Sequence, residues 1–152
     1  MKIKCCAIIL IIFIATNALA LERKKIGVGV IAGEPTGFTV KYMLDDKSAI
    51  DAGVGWKTSG DNEFHIYGDY LYHMNDLIKV PYGKLPLYFG GGLRFIDREK
   101  KKDKLGIRIP VGIEYLFKDV SLGAFFELVP VLNLTPDTDF DFEAGIGIRF
   151  FF

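Results

Sequence analysis

The stretch Leu105-Gly106-Ile107-Arg108-Ile109-Pro110-Val111-Gly112-Ile113-Glu114-Tyr115-Leu116 decides how this chain folds. Its bulky apolar residues, Leu105, Ile107, Ile109, Val111, Ile113 and Tyr115, alternate with Gly106, Arg108, Pro110, Gly112 and Glu114. A period of two belongs to a strand, whose successive side chains point to opposite faces. The last run repeats the pattern, with Phe142, Ala144, Ile146, Ile148, Phe150 and Phe152 against Glu143, Gly145, Gly147 and Arg149. So does the third, with Ile50, Ala52, Val54 and Trp56 against Asp51, Gly53, Gly55 and Lys57.

The composition of the two faces says which one points outward. A water-facing surface carries abundant Lys, Glu, Thr and Ser, whereas here the non-apolar face is mostly glycine with isolated charges. Eight strands enclose only enough space for side chains to fill, and several large residues per strand would overfill it. The expected arrangement therefore has bulky residues facing lipid and glycines with charges facing the lumen.

Working outward, eight alternating runs are expected: 25–33, 37–44, 49–57, 63–73, 85–96, 105–116, 121–132 and 141–152. Turn signals such as Glu34-Pro35-Thr36, Asp45-Asp46-Lys47, Ser59-Gly60-Asp61-Asn62 and Thr135-Pro136-Asp137 separate them. The fold class is all-β: an eight-stranded antiparallel up-and-down transmembrane barrel. Runs of this length suit tilted strands crossing a bilayer, and closure leaves no unpaired edge in hydrocarbon. Tyr42, Tyr70, Tyr72, Tyr115, Phe150 and Phe152 fall toward one rim and Trp56, Phe64, Phe95 and Phe142 toward the other, as interfacial girdles do. Pro86, Pro110 and Pro130 sit inside these runs, where each removes a ladder hydrogen bond, and bulges are expected there.

The chain has 152 residues, half of them hydrophobic, with 17 glycines. Beyond the N-terminus no stretch reaches the roughly 18 apolar residues of a spanning helix. The N-terminus itself reads as a cleavable signal peptide over 1–20: Lys2 and Lys4, an apolar run from Ala7 to Ala15, and Ala18-Leu19-Ala20 as the cleavage site. The barrel domain is then 21–152. Both cysteines, Cys5 and Cys6, fall within the signal, so no disulfide is expected in the mature chain. Removing Lys2 and Lys4 leaves a mature net charge of −2, which gives no reason to expect nucleic acid.

The terminal Phe152 after an alternating strand resembles the signal by which outer-membrane barrels are recognised by their assembly machinery. Gly33-Glu34-Pro35-Thr36-Gly37 with Lys41-Tyr42, Asp69-Tyr70-Leu71-Tyr72-His73, Leu85-Pro86-Leu87-Tyr88, and Ile109-Pro110-Val111-Gly112 with Tyr115-Leu116-Phe117 carry a wider resemblance. They look like an uncharacterised family of small OmpA/OmpX-like bacterial outer-membrane barrels. The resemblance covers essentially the whole mature chain. It implies residence in the bacterial outer membrane and contact with its lipid, and it names no activity.

Charges expected on the lumen face are Lys41, Asp51, Asp69, Arg94, Arg108, Glu114, Glu127, Glu143 and Arg149. With the C-terminus in the periplasm, Arg94, Arg108, Glu127 and Glu143 fall in the outer half and the rest in the inner half. Each layer mixes signs, which predicts crossed salt bridges, since a buried charge left unpaired costs roughly 3–5 kcal/mol. Arg108 and Glu127 are the expected test pair. The network reads as a structural plug, with a gate or proton path as the alternative.

No catalytic, cofactor or metal site is expected. His65 is followed by Ile66-Tyr67 and His73 by Met74-Asn75, so neither histidine has an adjacent nucleophile to activate. No cysteine remains to complete a metal set with them. Gly27-x-Gly29-x-x-x-Gly33 lacks the spacing of a nucleotide loop, and the carboxylates of Glu127 and Glu143 face a lumen too narrow for a sugar.

Surface contact is the better expectation. The outer loops are taken as 34–36, 58–62, 97–104 and 133–140. Arg98, Lys100, Lys101, Lys102 and Lys104 outnumber the acids of their loop and suit lipopolysaccharide phosphates or an acidic host or surface protein. The leading expectation is a monomeric, non-enzymatic barrel of structural or surface-interaction role. A narrow pore or transporter and a soluble periplasmic lipocalin-like binder are the alternatives.

Overall fold

A computed structural model describes residues 24–57 and 62–152. The proposed signal segment, with Cys5 and Cys6, and most of the 58–62 loop lie outside these residues.

Among the described residues all regular structure is β: β1 (Ile26–Gly33), β2 (Thr36–Met43), β3 (Ser48–Lys57), β4 (Glu63–Met74), β5 (Leu87–Arg98), β6 (Lys104–Arg108), β7 (Val111–Leu116), β8 (Leu122–Thr135) and β9 (Asp139–Phe151). Every pairing between them is antiparallel. β1 to β5 pair in sequence order, β6 and β7 each pair with both β5 and β8, and β8 pairs with β9, which returns to β1, so the sheet closes on itself. With β6 and β7 serving as two halves of one staggered position, the ring has eight places. Closure matters because an open edge would leave a row of amide and carbonyl groups without partners.

The split of the sixth run has a simple cause. Lys84 pairs with Leu116, Phe89 with Val111, Gly92 with Arg108 and Ile96 with Lys104, all in one uninterrupted register. Pro110 interrupts only the bonding. It cannot donate, yet its carbonyl still accepts from the Gly90 amide at 2.9 Å. Pro130 behaves alike, accepting from the Ile109 amide at 3.0 Å, and Pro86 precedes β5 while accepting from the Glu114 amide at 3.0 Å. The expected bulges at the prolines are thus absent, and each proline costs one donor only. The register shift lies elsewhere, between Leu105 and Gly106, opposite Thr135 and Asn133.

The faces fall as the alternation requires. Leu93 and Ile148 are each 56% exposed, and Ile107 and Ile109 also point outward, whereas Arg108 and Arg149 are each 1% exposed. Outward aromatics gather near both rims: Trp56 lies 5.7 Å from Phe64 and 6.4 Å from Phe38 at one end, and Phe150 lies 6.2 Å from Phe152 at the other. The interior is less purely polar than the sequence reading expects. Ile31, Leu71, Val129 and Val131 also point inward, and Leu71 packs with Ala49, Tyr88 and Met43.

One rim, the terminal rim, carries Phe152 and the connections 44–47, 75–86 and 117–121. The opposite, or loop, rim carries 34–35, 99–103 and 136–138. In the first turn the Asp45 carboxylate accepts from the amides of Lys47 and Ser48, both at 2.7 Å, which holds its pKa below the ordinary carboxylate value. Phe152 closes the cylinder by exchanging backbone bonds with Ile26 at 2.9 and 3.2 Å.

Candidate functional site: the charged barrel interior

Alternation decides which residues enter the lumen, and register decides which of them meet. Lys41, Asp51 and Asp69 are direct cross-strand neighbours on β2, β3 and β4. Asp69 lies opposite Gly92, and Gly92 opposite Arg108, so one row around the wall brings four ionisable side chains together. All four are at most 4% exposed.

The ion pairs form three linked groups. Nearest the terminal rim, Lys41 Nζ lies 2.6 Å from Glu114 Oε2. Arg149 bridges Glu114 at 3.3 Å and Asp51 at 2.9 Å, and it also donates to Thr39 Oγ1 at 3.0 Å. The Thr39 hydroxyl in turn donates to Asp51 at 3.0 Å. At mid-height Arg108 lies 3.0 Å from Asp69, 3.6 Å from Glu127 and 3.7 Å from Glu143. Its closest carboxylate is therefore Asp69 rather than Glu127, and it joins the two layers that the sequence reading separated. Glu127 instead accepts from the Tyr88 hydroxyl at 2.9 Å. Toward the loop rim, Arg94 contacts both Glu143 and Asp141, and it donates to Asn133 at 2.9 Å.

Three of the four cations rest on aromatic rings, and each ring rests on a glycine. Arg108 lies 3.9 Å from the Tyr67 ring centre, Arg149 3.8 Å from Phe125 and Lys41 5.0 Å from Tyr88. The direct cross-strand partners of those rings are Gly53, Gly147 and Gly112. A methyl group added at these glycines would come within 2.5, 2.5 and 2.3 Å of the respective rings. The glycine provides room for the ring, the ring's face attracts the cation, and the carboxylates neutralise it. Removing ions from water costs several kcal/mol each, so such an interior is tolerable only when partners of this kind are in place.

Gly53→Ala is accordingly expected to destabilise the barrel by about 1–3 kcal/mol through overpacking against Tyr67. Gly68→Ala, where an added methyl meets nothing within 4 Å, should be close to neutral. Equilibrium urea unfolding in detergent distinguishes the two. The Gly53→Ala cost should largely disappear in a Tyr67→Ala background, because the three atoms nearest the added methyl all belong to the Tyr67 side chain.

Tyr67, Tyr88, Phe125, Thr39, Asn133 and Asp141 belong to the interior network but are missing from the sequence reading. The signal was present: Tyr67 stands two residues before Asp69, Phe125 two before Glu127, Thr39 two before Lys41 and Asp141 two before Glu143. His65 is buried with Nε2 3.3 Å from Glu63, and buried His73 donates from Nδ1 to the Lys47 carbonyl at 3.0 Å. No group of three or more metal-ligating side chains is positioned to hold an ion among the described residues. An open vestibule of about 1420 Å³ enters from the terminal rim and reaches His73 and Glu114.

In the loop over 97–104, basic residues at both ends make local contacts. Arg98 donates to the Lys102 carbonyl, and Lys104 lies 3.3 Å from Asp141. Lys100, Lys101 and Lys102 are exposed at the tip.

An outward apolar belt, a ring of eight antiparallel strand positions and an ionised interior define an up-and-down barrel of the transmembrane type. The N-terminal β-barrel domain of Pseudomonas aeruginosa OprF is structurally similar, with a TM-score of 0.64 at 19% identity, over 84% of this chain and 96% of that one. The chain thus shares the β-barrel fold of that domain. A de novo designed transmembrane β-barrel also matches, with a TM-score of 0.46 at 18% identity, over 86% of this chain and 98% of the design. No family description and no curated protein matches the sequence, so the likeness is one of fold and does not single out a particular family.

Proposed function

We propose that this chain is a monomeric outer-membrane barrel with a plugged lumen, whose role is structural or surface-interacting rather than catalytic. The observation that carries this reading is the interior itself. Its cations are committed to buried carboxylates and aromatic rings at mid-height, which supports a filled lumen over an open channel. Lipid contacts the outward belt, and Phe152, sealing the last strand against the first, is the feature the assembly machinery reads. The exposed tip of Lys100, Lys101 and Lys102 supports contact with lipopolysaccharide phosphates or an acidic surface protein.

Two measurements test this. The refolded protein should require detergent and shift its gel mobility on heating, as a closed barrel does; a species that stays folded and soluble without detergent overturns the membrane reading. In planar bilayers it should show no unitary conductance steps. Regular steps would overturn the plug and favour a narrow pore entered through the vestibule.

A further inference from the structure

Of the three connections on the terminal rim, 44–47 and 117–121 are short, whereas 75–86 far exceeds the roughly two to five residues that a hairpin needs. Bacterial transmembrane barrels keep short turns on the periplasmic side, where this rim falls. The middle of the connection, Leu77-Ile78-Lys79-Val80-Pro81-Tyr82, is apolar but for one lysine. Leu77 is 62% exposed, and Tyr82, at 74%, is the most exposed large apolar side chain among the described residues. The course of the chain carries this strip to the outside of the wall. Asn75 and Asp76 at one end and Lys84 and Pro86 at the other line the mouth of the vestibule, but residues 77–82 do not. The chain turns at Gly83, whose φ of 78° lies in the left-handed region, and a methyl group there would come within 2.2 Å of the Leu116 carbonyl oxygen. Lys84 then enters the β5 register opposite Leu116. The turn sets the Tyr82 carbonyl where it accepts from the Tyr115 hydroxyl at 2.5 Å. Tyr115 alternates with buried Glu114 and so points outward, and its ring centre lies 4.8 Å from that of exposed Phe117.

We propose that residues 77–82 dock in the headgroup layer of the phospholipid leaflet at the terminal rim, with Leu77, Ile78 and Tyr82 turned to the acyl boundary and Lys79 to the phosphates. The inference rests on the membrane reading above: with the C-terminus in the periplasm, the leaflet at this rim is the phospholipid one, and lipopolysaccharide lies at the loop rim. Continuity with the belt selects lipid as the occupant. Outward apolar surface runs from β7 through Tyr115 and Phe117 to Tyr82, so the bilayer that wets the belt meets the strip without a break. A tyrosine ring has an apolar body and a polar tip, both of which the interface satisfies. The stem of an exposed lysine lies along apolar surface while its ammonium reaches the phosphate layer. A strip of this composition held in water would instead leave its apolar area hydrated with no compensating contact. Docked, it fixes the depth of the barrel, because raising or sinking the cylinder would drag the strip out of the only layer that suits both of its halves.

Trp56 is the sole tryptophan of the chain, so replacing it clears the way for a reporter placed elsewhere. In the experiment Leu77→Trp and Tyr82→Trp, each combined with Trp56→Phe, are refolded from the full chain into phosphatidylcholine vesicles whose acyl chains carry bromine either near the ester carbonyls or near the chain ends. Leu93→Trp with Trp56→Phe, placed near the middle of β5, is the depth reference. Tryptophan at 77 or 82 should lose most of its emission to bromine near the carbonyls and little to bromine at the chain ends, and aqueous iodide should quench it weakly. At 93 the order of the two bromine positions should reverse. Strong quenching of 77 and 82 by iodide and by neither bromine, alongside deep quenching at 93, would overturn the proposal: the strip would then stand in the periplasm, open to water or a protein, with the membrane reading intact. An absence of bromine quenching at all three positions would overturn both.

Discussion

Replacing Arg149 with methionine is expected to cost the folded barrel about 3–5 kcal/mol, the largest loss of any single interior substitution. Arg149 is 1% exposed and holds two carboxylates at once, Asp51 at 2.9 Å and Glu114 at 3.3 Å. Methionine retains contact with the Phe125 ring but removes the charge, which leaves Asp51 with the Thr39 hydroxyl and, across the strand, a Lys41 already paired with Glu114. Glu114 fares better because Lys41 remains 2.6 Å away. The double variant Arg149→Met with Asp51→Asn should therefore recover most of the loss, since it removes the stranded charge together with its partner. Denaturant unfolding in detergent micelles measures both. If the double variant proves as unstable as the single one, the cost comes from packing rather than from an unpaired ion. The same logic, applied at Arg108, now names Asp69 as the first partner to neutralise, with Glu127 second.

Much of this is legible in the sequence alone. Alternation over 105–116 and 141–152 assigns Arg108 and Arg149 to one face and Ile107 and Ile148 to the other, because a strand offers a side chain only two directions. The strand order follows too, since short turns can only join antiparallel neighbours. What the sequence does not carry is the register between strands distant along the chain. Lys41 and Glu114 are separated by 73 residues, and nothing local in either predicts their contact. The same limit explains the choice of Glu127 over Asp69 as the partner of Arg108: assignment by height alone leaves out which walls of the cylinder face each other. The ring-on-glycine pairs were missed for a related reason. An inward Tyr67 looks like overpacking until register sets it directly against Gly53.

The assignment of faces, on which the functional reading rests, meets its sharpest test at Leu93. This residue is 56% exposed, lies near the middle of β5, and is flanked by Gly68 and Ile107 on the neighbouring strands. In a bilayer Leu93→Arg should destabilise the protein by about 2–4 kcal/mol, because a guanidinium at mid-depth must be hydrated by distorting the membrane. Phe140 is 70% exposed but sits at the loop-rim end of β9, where headgroups and water are close, so Phe140→Arg should cost only about 0–1 kcal/mol. Exposure alone ranks the two positions in the opposite order. Equilibrium unfolding from lipid vesicles therefore separates depth in a membrane from simple accessibility. If water rather than acyl chains met the outward belt, arginine would be tolerated at both positions. A large cost at Leu93 together with a small one at Phe140 arises only when the belt has a hydrocarbon interior and a wet boundary, the condition under which an ionised lumen and a greasy exterior are the stable arrangement of this sequence.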